Sequence, residues 1–274
     1  TIVFVPASSL NTYQANQDWS LLPIGVDEIL TINNPTAGGL RTALLAAGYK
    51  PFSSITRLNV TGNLNNTDIK LLKDSLSLLM ELDISGSTIS GNVFPANSLQ
   101  SKTNLFYVRL PESVVAIGNN AFESCTNLKI TPLPSSLTSI GNYAYSTCKS
   151  LTGDLIIPNS VTYIGTYAFN NCVGLNGSIV LPSSLISLSA AAFSGCTGIS
   201  GPLTIPESLT SIPSSAFYEC GKLTQLNLGK NTSSIGDEAF YSCKGLTKIS
   251  VKRAAPPTIY ANTFNGVNKT TCTL

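Results

Sequence analysis

Residues 133–151 read LPSSLTSIGNYAYSTCKSL, and this phrase returns along the chain with its proline, alanine, aromatic residue and cysteine in the same places. The clearest further copies begin at Ile157, Leu181 and Ile205, and a less regular copy begins at Leu228. A unit of this kind cannot bury its apolar side alone and must stack on its neighbours. The phrase therefore predicts a repeat solenoid.

The cysteines show the period most plainly. Six of the seven follow one another at intervals of 23, 24, 24, 24 and 23 residues: Cys125, Cys148, Cys172, Cys196, Cys220 and Cys243. Equivalent side chains of stacked coils point in parallel directions, which disfavours the roughly perpendicular torsion of a disulfide. We therefore expect this cysteine ladder to consist of buried, reduced thiols that act as small hydrophobic side chains. Cys272 is expected off the ladder, at an inward strand position.

Each unit is expected to contain one strand and one short helical turn. The segment L-x-x-[LI]-x-[LI], as in residues 223–228, alternates inward Leu226 and Leu228 with outward Asn227. Proline then ends the strand, because it cannot donate to the ladder. The segment that leads to the cysteine reads as a helical turn on the outer side. The units together predict an α/β repeat solenoid with one parallel sheet.

Residues 27–92 lack the phrase and are expected to form an N-terminal α/β cap with the first coils. Strands are predicted at residues 30–33, 55–60 and 82–84, and a helix at residues 39–47. Thr67 is predicted to be the N-cap of a second helix. Because a solenoid needs an atypical end to cover its first coil, the predicted domains are residues 1–26, 27–92 and 93–274, with a truncated last repeat.

The proline–alanine–phenylalanine–cysteine spacing resembles the BspA-like class of bacterial leucine-rich repeats, over residues 54–274. The resemblance implies a leucine-rich-repeat right-handed superhelix. It also implies a secreted or surface-attached protein that takes part in adhesion or protein binding. Thr1 is unlike a translation start, so we expect a processed or trimmed N-terminus. Together with the resemblance, this leads us to expect an extracellular or outer cell-surface location after removal of a signal sequence.

The first residues resemble another part of this family, the element that closes its C-terminal end. A strand ending in Val-Pro and a short helix with Trp19 look like that element. We therefore expect the segment from Thr1 to Leu22 to pack on the last repeat, around Phe264 and Cys272, of its own or a neighbouring chain. In a neighbouring chain this contact would produce self-association. The alternative is that the segment packs on the first strands as an N-terminal cap.

Composition narrows the functional classes. The chain contains no His, which removes the most common general base and metal ligand, so we expect neither His-dependent hydrolysis nor a cofactor or metal. The 14 acidic residues are scattered, whereas a glycosidase needs two carboxylates facing across a cleft. The net charge is +2 without a long basic run, so nucleic acid is not expected as a partner. No apolar run is long enough to span a membrane.

The outward strand positions are the candidate binding residues, because solenoids bind partners on this face. The partner-binding candidates are Phe106, Tyr107, Arg109, Ile156, Val180 and Thr204. Ile156 and Val180 are apolar where solvent is expected, and a strip of this kind with a polar rim is typical of an interaction patch. The alternative is that β-branched residues merely favour strands.

These observations favour an extracellular, non-catalytic module that binds another protein. A glycan-binding module of the cell surface is the alternative, with exposed Tyr side chains as stacking platforms. An enzyme acting on glycans is a third hypothesis, which the lack of His and of paired carboxylates disfavours.

Overall fold

The computed structural model describes residues 2–15, 24–268, 270 and 272, and only the backbone of Asp27. The helices are α1 (Leu10–Ala15), α2 (Leu40–Ala46) and α3 (Asn66–Ser75), with 3-10 turns at Ala7–Ser9, Phe52–Ser54 and Ser90–Asn92. The first strands are β1 (Val3–Val5), β2 (Ile24–Asn34), β3 (Ile55–Leu64), β4 (Glu81–Asp83) and β5 (Ser87–Ile89). The repeats contain β6 (Val93–Phe94), β7 (Tyr107–Arg109), β8 (Ala116–Ile117), β9 (Ser139–Ile140), β10 (Leu155–Ile156), β11 (Tyr163–Ile164), β12 (Ile179–Val180), β13 (Ser187–Leu188), β14 (Ser200–Thr204), β15 (Ser211–Ile212), β16 (Lys222–Leu228), β17 (Ser234–Ile235), β18 (Lys248–Val251) and β19 (Thr258–Ile259).

The described strands pair in parallel and fall into two lines of stacked coils. The first strand line runs β1-β2-β3-β4-β7, then β10-β12, then β14-β16-β18. The second strand line runs β6-β8-β9-β11-β13, then β15-β17-β19, while β5 pairs with the end of β3. The prediction of a repeat fold with parallel strands is confirmed. The prediction of one parallel sheet is wrong, because the described strands form five sheets along two lines.

A proline lies at one interruption in each line. In the second line, the Gly165 N–H donates to the Ile140 carbonyl of the preceding coil at 2.9 Å, and the same bond recurs in other coils. Pro213 occupies this place after β15 and has no N–H, so the bond to β13 is missing. Pro132 occupies an outward position of the first line, and residues 130–132 of its coil form no strand. A single missing donor thus divides a line that the repeat phrase alone presents as continuous.

The segment between the second strand line and the cysteine is a series of tight turns. The N–H groups that donate to the next coil are those of Tyr167, Phe169 and Asn171, and those that donate within the coil, to the carbonyl three residues back, belong to Ala168, Asn170 and Cys172. Tyr167 and Asn171 have φ angles of 56° and 55°. Such left-handed residues prevent a continuous helix, so the predicted helical turn is wrong. As a result of these left-handed residues, every second backbone N–H of the segment donates to a carbonyl of the next coil.

The N-terminal part contains the predicted strands and the helix α2, but α3 begins earlier than predicted. Its N-cap is Asn65, whose side chain accepts from the Thr67 N–H at 2.8 Å, so the prediction of Thr67 as the cap is wrong. The buried Asp68 carboxylate accepts from the N–H groups of Asn65, Gly38 and Leu40 at 3.0, 2.6 and 2.9 Å. Asp68 therefore joins the start of α3 to the start of α2.

The first residues begin the first strand line. β1 pairs with the start of β2, which places Val5 opposite Val26, and both side chains are buried with Leu10 in a small apolar cluster. The predicted contact between this segment and the last repeat of the same chain is therefore wrong, because its strand is paired with β2. The predicted boundary after residue 26 falls inside β2. Trp19 and Leu22 lie outside the described residues, and self-association stays a prediction.

An aromatic ladder runs through the core of the repeats. Its rings belong to Phe94, Phe122, Tyr145, Phe169, Phe193, Phe217, Phe240 and Phe264. Centroids of successive rings lie 4.9–5.5 Å apart, which is the range of offset stacking. An alanine ladder accompanies it, with no exposed surface at Ala121, Ala144, Ala168, Ala192, Ala216 or Ala239. Most coils thus contribute one large and one small side chain at fixed positions.

Candidate functional site

The strand face consists of the outward side chains of the first strand line from β7 to β18. On β10, Leu155 is buried while Ile156 keeps 66% of its surface exposed, and on β12 Val180 keeps 51%. Ile156 lies directly opposite Val180 in the parallel register of these two strands. Because neighbouring strands are about 4.8 Å apart, two exposed apolar side chains stand side by side.

The strand face becomes polar on the C-terminal side of this pair. Thr204 on β14 is exposed and lies opposite Asn227 on β16. The Asn227 side-chain amide donates to the Thr204 hydroxyl at 3.2 Å, and the Gln225 amide donates to the Asn227 side-chain oxygen at 2.5 Å. Hydroxyl and amide groups therefore border the apolar pair on this side.

The remaining predicted binding residues lie on the N-terminal side of the coil that contains Pro132. Leu105, Val108 and Leu110 are buried, so Phe106 and Tyr107 do not share their inward direction, but both rings are half-buried. Arg109 is exposed and lies opposite Asp83 in register. The structure thus groups Ile156, Val180 and Thr204 and separates them from Phe106, Tyr107 and Arg109 by the coil that contains Pro132.

Two grooves flank the apolar pair, and the sequence did not predict them. One of about 300 Å³ lies beside Ile156 and has Pro132 and Pro158 in its wall. The other, of about 480 Å³, lies beside Val180 and is lined by prolines at 202 and 206. The repeated proline of the phrase supplied part of the signal, at Pro158 and Pro206, whereas Pro132 and Pro202 lie outside that position.

The surface around the apolar pair carries almost no charge. Residues 155–206 contain no Asp, Glu, Lys or Arg, and between Lys129 and Glu207 the charged residues are Lys149 and Asp154. Asp154 accepts hydrogen bonds from the Ser178 N–H and hydroxyl at 2.7 and 2.9 Å, which lower the pKa of its carboxyl group. Charge depletion at the centre is typical of protein interfaces. The absence of charged residues from this stretch can be read directly from the sequence.

The cysteine ladder lies inside the coils, away from the strand face. All seven cysteines are free, six are buried and Cys272 is half-buried. Each ladder thiol donates to a carbonyl of the preceding coil, as from Cys148 to Phe122 at 3.0 Å. Burial raises the pKa of the thiols of Cys125 and Cys243 to about 12. These thiols are hydrogen-bonded parts of the core.

Thiol reactivity should separate Cys272 from the ladder. The thiolate is the reactive form, and the six ladder thiols are buried and donate hydrogen bonds to carbonyls, so they should not react with dithionitrobenzoate in the native protein. We expect one slowly reacting thiol per chain in buffer and the other six only in denaturant. The Cys272→Ser variant should show none in buffer. A disulfide between neighbouring ladder positions, detected by mass spectrometry without reduction, would contradict this expectation.

Within the described ranges, no three His, Cys, Asp or Glu side chains gather closely enough to hold a metal ion. In the same part of the chain, every helix is too short or too polar to cross a membrane. The strand face between Ile156 and Thr204 offers hydroxyls, amides and apolar surface. These groups can make hydrogen bonds and apolar contacts.

Comparison with known proteins places the repeats in context. The sequence model described as BspA type Leucine rich repeat region matches the chain in six copies, over residues 85–200 and 176–274. Together these ranges cover residues 85–274, which are 190 of the 274 residues. No curated protein matches the chain.

One of the solved structures that match the chain is similar to it in fold. A leucine-rich repeat protein from Bacteroides ovatus ATCC 8483 has 24% sequence identity and a TM-score of 0.57, and the match covers 81% of this chain and 53% of that one. The chain thus spans about half the length of that protein. A leucine rich cell surface protein from Faecalibacterium prausnitzii A2-165 has 16% identity and a TM-score of 0.43, with 93% of this chain and 88% of that chain covered.

Proposed function

The chain belongs to the BspA-type leucine-rich repeat family, and from this premise we propose that it is a non-catalytic module whose strand face binds a partner protein. Leucine-rich repeat domains generally bind proteins, and members of this family are often secreted or attached to the cell surface. We propose that this chain is likewise secreted or attached to the cell surface and takes part in adhesion. The observation that carries the proposal is the exposed pair of Ile156 and Val180 on adjacent strands.

The surroundings of this pair support a docking site. Interfaces combine an apolar centre, depleted of charge, with a polar rim. Here Thr204 and Asn227 border the pair on one side, and Arg109 lies beyond the Pro132 coil on the other. β-propensity alone accounts for branched residues in strands. It does not account for the two grooves or for the absence of charge from residues 155–206.

The test is a pair of matched double variants. Proteins captured by the module from an extracellular-matrix preparation or from bacterial surface extracts are identified, purified and titrated by surface plasmon resonance. Ile156→Asp with Val180→Asp should raise the Kd about tenfold or more, because each carboxylate would have to be desolvated in the interface. Circular dichroism should stay unchanged, since both side chains face solvent, and the melting temperature should fall only slightly, through repulsion between the two neighbouring carboxylates.

The control carries the same substitutions elsewhere. Ile186 is 67% exposed and Val173 is also exposed, and neither belongs to the strand face. Ile186→Asp with Val173→Asp should therefore bind the partner like the wild type. Equal affinity of both double variants, or a loss confined to the control, would show that the strand face is not the binding surface.

Glycan binding is a second candidate function. The half-buried Phe106 and Tyr107 give it little support. A different group of aromatic side chains, on the second strand line, favours it more strongly.

A further inference from the structure

Three tyrosines form an exposed cluster on the second strand line and the turn that follows it. Tyr143, Tyr163 and Tyr167 are each 36–37% exposed. The rings of Tyr143 and Tyr167 are stacked with centroids 5.0 Å apart and planes 19° apart. Parallel rings in contact have planes about 3.5–4.0 Å apart, so these two rings must be displaced sideways. Part of each ring face is therefore left uncovered.

The backbone at two of these tyrosines is unfavourable for them. Tyr143 and Tyr167 both have a φ of 56°, in the left-handed region that bulky residues avoid. The equivalent positions in other coils carry Asn120, Ala191, Ser215 and Glu238, also at positive φ. Packing of the coil thus does not require a large ring there. Strain of this kind in two successive coils is an observation from which a function can be inferred.

A polar group with unused hydrogen-bonding capacity accompanies the rings. The Tyr163 hydroxyl donates to the side-chain oxygen of Asn142 at 3.4 Å, and the Thr166 N–H donates to the same oxygen at 2.9 Å. These contacts use the oxygen of Asn142 and leave its amide NH₂ as a donor of two hydrogen bonds. The tyrosine hydroxyls can both donate and accept. The cluster therefore presents aromatic faces beside neutral hydrogen-bonding groups.

The cluster lies in the uncharged part of the chain. Tyr163 and Tyr167 belong to residues 155–206, which contain no charged residue, and Lys149 and Asp154 occupy other positions of the coil that contains Tyr143. A charged ligand would find no counter-charge on these residues. The strands β8, β9, β11 and β13 are also paired from one coil to the next, so this surface offers no open strand edge to a peptide.

We infer that Tyr143, Tyr163 and Tyr167, with Asn142, form a binding platform for an uncharged oligosaccharide. The C–H bonds on one face of a sugar ring are weakly positive and pack on the negative face of an aromatic ring. The sugar hydroxyls then find donors and acceptors in the amide and phenol groups. A protein partner would instead need pockets for its anchoring side chains, and the grooves that provide such pockets lie on the strand face.

The test uses substitutions that the neighbouring coils already contain. Tyr143→Asn with Tyr167→Ser places there the residues found at positions 120 and 215, so the fold should be retained. The whole chain and this variant are compared on an array of neutral gluco-, manno-, galacto- and xylo-oligosaccharides with sulfated and sialylated glycans, followed by calorimetry of the best neutral ligand. We expect binding of neutral glycans, weakened about tenfold or more in the double variant.

Two controls separate this site from the strand face. Tyr260→Ala removes a more exposed tyrosine outside the cluster, and Ile156→Asp with Val180→Asp alters the strand face, and both should leave glycan binding unchanged. Binding of charged glycans alone, no binding of any neutral glycan, or equal binding by the Tyr143→Asn, Tyr167→Ser variant would each overturn the inference. None of these outcomes would affect the proposed binding of a protein by the strand face.

Discussion

Replacing Phe193 by alanine should lower the free energy of unfolding by about 3–5 kcal/mol, the range observed when a buried aromatic ring is truncated. Phe193 has no exposed surface and lies between the rings of Phe169 and Phe217, with centroids 5.3 and 5.4 Å away. Truncation would remove the apolar contacts of the ring on both sides and leave a cavity in the middle of the aromatic ladder. Since each coil contacts only its neighbours, the coils on either side should also become less tightly coupled.

Urea unfolding followed by circular dichroism measures both effects. The midpoint should fall, and the slope of the transition should decrease if the two halves no longer unfold together. Tyr260→Ala is the control, because this ring is mostly exposed and its loss should change stability by about 0.5 kcal/mol or less. A Phe193→Ala protein as stable as the control would mean that the ladder does not stabilise the solenoid.

Replacing Ala192 by leucine should destabilise the protein by about 1–3 kcal/mol or more, as overpacking of a full core does. Ala192 has no exposed surface, and its carbonyl accepts the Phe169 N–H of the preceding coil at 2.8 Å. Additional carbon atoms at this place would force neighbouring coils apart. The backbone bonds between the coils would then lengthen together with the side-chain contacts.

The same turn provides a matched control for this substitution. Ala190, two residues earlier, is exposed. Ala190→Leu should therefore change the melting temperature very little, whereas Ala192→Leu should lower it clearly. Equal melting temperatures of the two variants would show that the alanine ladder reflects something other than close contact between coils.

The sequence was sufficient for the features that repeat. The phrase in residues 133–151 predicted the stacked coils, the alternation of Leu155 and Ile156, and the period that brings equivalent side chains together. In the N-terminal part, the spacing of apolar residues after Thr67 located α3, although not its first residue. The periodicity of apolar residues shows which side of an element is buried. The features that were predicted correctly depend only on this pattern of burial.

The features that were missed depend on contacts between distant residues. The break at Pro213 follows from a donor that its own coil lacks, and a single repeat does not reveal which N–H groups point to a neighbouring coil. The cap at Asn65 is fixed by Asp68, whose carboxylate also holds the N-terminus of α2. The grooves and the tyrosine cluster likewise arise only after stacking. The right-handed superhelix and the capping role of the N-terminal part stay predictions.

The uniformity of the contacts between coils has a consequence for how such a chain can change over generations. From Phe169 to Phe240 each coil meets the next through the same kind of ring stacking, with centroid distances of 5.3–5.4 Å. Duplication or loss of one coil in the gene would therefore create no new kind of junction. It would lengthen or shorten the array by about 4.8 Å, the spacing of neighbouring strands. The length of the solenoid can thus change by whole coils while its cross-section is preserved.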